Sequence, residues 1–168
     1  LSKVEENAIR ARWIQLLSQH LRGHRVYVAC PYTSKSAKVR QARVAKVTLL
    51  SALLFAEGVD VFSPLTHTVP LESVLLSMAQ TGRWLNARSW LDLDKTFIRK
   101  WAEKMLVLCL PGWENSYGIQ RETSWCMDLH IPVWYVDPQE VKVLYHMVLE
   151  KGDTACQWAK SIEYRLSK

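Results

Sequence analysis

The sequence predicts an α/β protein: a parallel sheet of about four or five strands with helices on both faces. Two observations carry this. Short apolar runs such as Met105-Leu106-Val107-Leu108-Cys109-Leu110 are closed off by Pro111 and Gly112, and they are too short and too uniformly apolar for a helix. Between these runs lie longer segments whose apolar residues do recur at helical spacing. A strand with no polar face is covered on both sides, as strands inside a parallel sheet are.

In chain order, residues 4–22 place Ile9, Trp13, Leu16, Leu17 and Leu21 at helical spacing among Glu5, Arg10, Arg12 and Gln19, and Gly23 ends the segment. This helix precedes the first strand and is an addition to the α/β repeat. Residues 25–30 form that strand, with Pro31-Tyr32-Thr33-Ser34 as its exit loop. A helix over about 37–57 follows, with Val39, Val44, Val47, Leu50, Leu53 and Leu54 as its buried stripe and Gly58 as its stop. The second strand, 59–63, runs into an exit loop over 64–70 that holds His67. A short helix around 71–78 and a turn at Thr81-Gly82-Arg83 precede a helix over about 90–103, which feeds the central strand, 105–110. The loop over 111–117 leads to Gly118, which opens a helix carrying Glu122. The fourth strand is 131–136, with Pro132 at its start, where a missing N–H is tolerated. Two helices, about 139–151 and 154–166, close the chain, and Gly152-Asp153 supplies the turn and N-cap between them. Right-handed crossovers put the exit loops of the first three strands on one edge, where open α/β sheets bind ligands. No repeat or linker interrupts the 168 residues, so one domain over 1–168 is expected.

Composition narrows the partners. With 49% apolar and 23% charged residues the chain is ordinary for a globular protein. A net charge of +6 suits an anionic small ligand and is too weak and dispersed to argue for a nucleic-acid polymer. No apolar run approaches the roughly 18 residues that span a bilayer, and no charged-then-apolar leader is present. No membrane partner and a cytoplasmic location are therefore expected. Cys30, Cys109, Cys126 and Cys156 show no C-x-x-C pairing, and Cys30 and Cys109 fall in predicted buried strands, so reduced core thiols are expected rather than a zinc site. The 8 tryptophans either pack the core and a subunit interface or, in one or two cases, wall a pocket for a planar base.

The chain has no G-x-G-x-x-G after the first strand, no G-x-x-x-x-G-K-[ST] and no G-x-S-x-G, which disfavours dinucleotide, P-loop and serine-hydrolase readings. What remains is a carboxylate pair, Asp94 and Glu122. Glu122 lies about one turn into its helix, where the helix dipole favours an ionised carboxylate. Asp94 lies near the start of the helix that feeds the central strand, and its reach depends on how residues 81–90 fold. Two carboxylates at one site push their pKa values apart, leaving one to attack and the other to hold a proton, the equipment for cleaving a glycosidic bond. Each residue has a competing reading. Asp94 caps a helix or pairs with Lys95 or Arg99, and Glu122 pairs with Arg121 or faces solvent; spacing leaves both readings open.

The ordered set Val26-Tyr27-Val28-Ala29-Cys30-Pro31-Tyr32-Thr33-Ser34, Arg43, Gly58, Val61-Phe62-Ser63-Pro64, His67 and Pro70 resembles the N-terminal half of the nucleoside 2-deoxyribosyltransferase superfamily. Trp90, Asp94, Leu110-Pro111-Gly112-Trp113, Ser116, Gly118, Glu122 and Pro132-Val133 continue the resemblance in order. It is closer to a bacterial and phage branch often catalogued only as a domain of unknown function, and it covers about residues 25–137. The helix over 1–24 and the segment 138–168 lie outside it. The resemblance implies a flavodoxin-like or Rossmann-like sheet and an N-glycosidic bond as target. Glu122 matches the nucleophile that forms a glycosyl-enzyme at C1′, Asp94 the acid near the leaving base, and Tyr32 the aromatic residue that holds the sugar or orients the nucleophile. Ser116 stands where the transferases carry aspartate and the nucleotide hydrolases tend to carry serine, which leans towards a hydrolase acting on a 5′-monophosphate. Ser34, Arg43 and Arg40 are then placed to meet the phosphate, with a solvated helix face as the competing reading for both arginines. Gly118 joins Ser116 in the substrate-binding set.

His67 is ambiguous between a functional strand-exit residue and one that holds its loop by hydrogen bonding. Trp113 either stacks on a base or packs the core or an interface. No cofactor or metal is expected, because a carboxylate nucleophile and a carboxylic acid suffice for the chemistry. Family members commonly complete their sites from a neighbouring subunit, so a homodimer or higher homo-oligomer is expected. The resulting expectation is an N-glycosidase that releases free base from a nucleoside or nucleoside 5′-monophosphate, hydrolase before transferase. The alternative is a non-catalytic nucleotide-binding or sensing module on the same fold. A partner-binding protein built on a tryptophan-rich surface is a third.

Overall fold

The computed structural model describes residues 1–78 and 87–151. The turn expected at 81–83 and the helix expected at 154–166 lie outside the described residues. Four strands, β1 (Arg25–Ala29), β2 (Asp60–Phe62), β3 (Lys104–Leu108) and β4 (Val133–Val136), form one parallel sheet in the order β2-β1-β3-β4. Tyr27 lies in register between Phe62 on one side and Met105 on the other. The chain leaves β1 for β2 on one side and returns as β3 on the other, so the β1/β3 boundary is the topological switch point of a Rossmann-like sheet.

Alternation along β1 and β3 sorts the helices into two layers. Val26, Val28, Leu106 and Leu108 belong to a core completed by α1 (Lys3–Leu16), α2 (Ala37–Ala56) and α6 (Pro138–Glu150). Tyr27, Ala29, Met105 and Val107 face the other way, into a smaller core with Ile98 of α4 (Ala87–Lys100) and Ile119 and Cys126 of α5 (Tyr117–Asp128). Both carboxylates singled out above, Asp94 on α4 and Glu122 on α5, belong to the second layer.

On the first layer, Val47, Leu50, Leu53 and Leu54 hold α2 to the sheet, each burial contributing about 1.5–3 kcal/mol. The stripe expected for this helix reaches the core only from Val47 onward; Val44 is half-buried and Val39 in the first turn is exposed. Gly58 then takes the left-handed conformation, φ 80°, that ends the helix. α1 begins in a capping box made by Ser2 and Glu5 and continues as a π-helical turn, Leu17–Leu21. It is bound to α6 by the Trp13 Nε1–H donating to Glu140 O at 2.8 Å, by two Arg10–Glu150 bonds of 2.7 Å, and by an Arg12–Glu140 ion pair.

One expectation fails between β2 and α4. Residues 64–70 are not an exit loop but the first half of α3 (Pro64–Met78). Pro64 opens this helix, where its fixed φ suits a first turn, and Pro70 is carried inside it. Two prolines six residues apart read as loop punctuation in a sequence, and here they are not. His67 is therefore a helical residue. A smaller correction concerns Cys109, which is half-buried because it lies one residue past the end of β3. Among the described residues Cys30, Cys109 and Cys126 are free thiols, and no helix is long and apolar enough to cross a membrane.

Candidate functional site

The site is built from one strand and two helices of the second layer. β1 is apolar on both faces, so Tyr27 at its centre is fully enclosed, yet its ring carries a hydroxyl that needs a partner. That partner is on α5: the Tyr27 hydroxyl donates to Glu122 Oε1 at 2.6 Å. Glu122 is 5% exposed and shares its helix face with Ile119 and Cys126. Asp94 arrives from α4, one turn before Ile98, and is 7% exposed. Its Oδ1 has no hydrogen-bond partner among the described residues.

The helix begins at Ala87, so Asp94 sits in its middle rather than near its start and does not cap it. Two of the three basic residues that offered competing partners, Lys95 and Arg121, are engaged elsewhere. Lys95 lies 5.5 Å and Arg121 5.4 Å from the ring centre of Trp125, and among the described residues neither carboxylate has an ion-pair partner.

Burial dominates the electrostatics. It pushes Asp94 up to about 7 and Glu122 up to about 8, with the Asp94 charge adding to the rise of Glu122 and the Tyr27 hydroxyl opposing it. The helix N-terminus was expected to favour an ionised Glu122. Glu122 is the sixth residue of α5, beyond the first turn where the dipole acts, and desolvation outweighs it. Both carboxylates thus titrate near neutral pH, and between about 7 and 8 the pair holds its last proton mainly on Glu122, the group pushed higher. Among the described residues only Glu122 has a donor to stabilise its charge, since burial and the two carboxylates raise Tyr27 and keep its phenol protonated. Such an arrangement can present a carboxylate nucleophile beside a carboxylic acid that gives up a proton.

Other candidates fall into a second group at the switch point. Arg43 of α2 donates to Thr33 O at 2.9 Å and to Pro111 O at 2.7 Å, tying the exit loop of β1 to that of β3. Gly112, φ 86°, turns the chain beside it, where a Cβ would lie 3.7 Å from Arg43 Nη2. Arg40 is likewise held by the Ser34 carbonyl, and Ser34 Oγ accepts from the Ser36 N–H at 3.2 Å. Ser116 is the N-cap residue of α5 without a side-chain cap bond, and Gly118 follows in the first turn.

The remaining candidates point elsewhere. The Tyr32 hydroxyl donates to Glu72 of α3 at 3.3 Å, so the tyrosine that touches Glu122 is Tyr27. Trp113 packs 5.1 Å from Tyr135. His67 sits on an aromatic cluster, 5.8 Å from Phe62, which in turn lies 5.8 Å from Tyr27. Sequence reasoning missed Tyr27. The signal was there, however: a tyrosine in the middle of a buried strand needs a buried acceptor.

Two cavities lie away from the carboxylates. One of about 590 Å³ opens between α2 and α6, and one of about 430 Å³ between α2 and α3, lined by Tyr32, Arg40 and Glu72. Among the described residues no group of three or more His, Cys, Asp or Glu gathers to hold a metal ion.

Residues 24–137 match a protein-family model described as a domain of unknown function, DUF1937. No curated protein matches the chain. The match spans the whole sheet, from before β1 to the end of β4, and includes Tyr27, Asp94 and Glu122.

Proposed function

The chain belongs to the DUF1937 family, and we propose that it is an N-glycosidase of the nucleoside 2-deoxyribosyltransferase superfamily, acting on a nucleoside or nucleoside 5′-monophosphate. The observation that supports this reading is the buried Glu122–Asp94 pair, both groups titrating near neutral pH, with the Tyr27 phenol donating to Glu122. In the proposed reaction the pair's proton first passes from Glu122 to Asp94; the ionised Glu122 then attacks C1′ as the C1′–N bond breaks, and Asp94 gives that proton to the departing base. Water then attacks C1′ of the glycosyl-enzyme, returning a proton to Asp94 and releasing the sugar from Glu122. Ser116, in place of the transferases' aspartate, favours water over a second base as acceptor. We place the enzyme in the cytoplasm as a homo-oligomer.

A second reading is favoured by the low exposure of both carboxylates and by cavities that exclude them: a nucleotide-binding or sensing module without turnover. Base release separates the two. Wild-type protein and Glu122→Gln are incubated with a panel of nucleosides, nucleoside 5′-monophosphates and NAD, and free base is followed by chromatography. Release by wild type alone supports the glycosidase. No release from a broad panel, with saturable nucleotide binding by both proteins, favours the module.

A further inference from the structure

On the sheet face opposite Glu122 and Asp94, α2 and α6 part beside the end of β3 and leave the cavity of about 590 Å³. Pockets for small organic molecules span roughly 300–1,000 Å³. Its floor is part of the core, Leu49, Leu108, Leu110 and Val141, so a ligand seated there would bury apolar surface. Its rim is cationic. Lys46 comes from α2, Lys142 and His146 lie one turn apart on α6, and among the described residues no carboxylate lines the cavity. Arg10, Arg12, Arg22 and Lys151, by contrast, each meet a glutamate. Lys46 and Lys142 are exposed and, among the described residues, have neither a hydrogen bond nor an ion pair.

We propose that this cavity binds a small amphipathic anion, its apolar body on Leu49, Leu110 and Val141 and its phosphate, sulfonate or carboxylate between Lys46 and Lys142. The apolar floor supplies contact area. Charge-assisted bonds from two elements fix the orientation. The site is separate from the carboxylate pair and does not rest on the chemistry proposed there.

The test is calorimetric titration of the full chain with 1-naphthyl phosphate, an aromatic monophosphate with no glycosidic bond to cleave. One saturable site is expected. Lys46→Glu combined with Lys142→Glu lowers the affinity by about tenfold or more, 1-naphthol binds weaker by a similar factor, and Glu122→Gln leaves the affinity unchanged. Ala42→Trp, at an exposed position lining the cavity, keeps both lysines and removes binding by filling the space, with circular dichroism confirming the fold. Absence of saturable binding, an affinity indifferent to the two lysines or to Ala42→Trp, equal binding of 1-naphthol, or loss of binding in Glu122→Gln would each overturn the proposal.

Discussion

The Tyr27 hydroxyl spans from the middle of β1 to Glu122 Oε1 on α5, 2.6 Å away, with both groups buried. Tyr27→Phe keeps the ring that packs on Phe62 and removes only this donor. A charge-assisted bond of this kind contributes about 1.5–3 kcal/mol, so an ionised Glu122 becomes harder to form by roughly one to two pKa units. Under the proposed mechanism kcat at neutral pH falls by about 10- to 100-fold, and the basic-going rise of the pH–rate profile moves to higher pH. Tyr32→Phe, which removes a bond to Glu72 instead, leaves that profile in place. Profiles of base release for both variants check the contrast, and identical profiles for wild type and Tyr27→Phe would refute the role given to Tyr27.

Burial of the carboxylates also fixes how stability varies with pH. Glu122 rises from 4.5 to about 8 and Asp94 from 3.8 to about 7 on folding. Between the unfolded and folded values the native state binds more protons than the unfolded chain, so unfolding becomes easier as pH rises through that window. The full stability is present below about pH 4 and has been lost by about pH 8. Glu122→Gln keeps an acceptor for Tyr27 and removes the ionisation. Its Tm exceeds that of wild type by several degrees at about pH 8 and converges with it near the acid end of the window, as scanning calorimetry at stepped pH will show. A constant difference across the window would mean that Glu122 titrates normally.

Arg43 gives a prediction of the opposite kind. Its two nitrogens already bond the carbonyls of Thr33 and Pro111, so the side chain first holds two loops together. Lysine has no planar fork to span both acceptors. Arg43→Lys is therefore expected to lose about 1–3 kcal/mol and several degrees of Tm without any ligand. If Tm is unchanged and only the KM for a 5′-monophosphate rises, Arg43 serves the substrate rather than the loops.

These residues also show what the sequence made legible. β1 and β3 stood out because uninterrupted apolar runs closed by Pro31 and Pro111 leave few alternatives to a buried strand. Asp94 and Glu122 were visible as carboxylates at the ends of an α/β repeat, but spacing says nothing about burial, and burial sets their chemistry. Tyr27 hid inside the strand signal, since a tyrosine in an apolar run looks the same whether or not its hydroxyl meets an acid. α3 was read half as loop because Pro64 and Pro70 outweighed a weak helical pattern, which moved His67 from a loop to a helix.

The family match begins at residue 24, yet α1 is built into the core. Trp13, Leu16, Leu17 and Leu21 are each 5% exposed or less and pack with Val136, Val141 and Leu144, beyond or at the far end of the matched region. Trp13 also satisfies its own buried Nε1–H by donating to the Glu140 carbonyl at 2.8 Å. Trp13→Ala removes the ring, leaves a cavity under α6 and loses that hydrogen bond, at a cost of about 3–5 kcal/mol. That is a large fraction of a typical domain's 5–15 kcal/mol, so Tm is expected to fall by about 10 °C or more. Trp13→Phe, which keeps most of the packing and loses the donor, falls less. A chain starting at residue 24 exposes the apolar face of α6 that α1 covers and is expected to aggregate rather than fold. A monodisperse, cooperatively melting protein from that truncation would show that α1 only decorates the sheet.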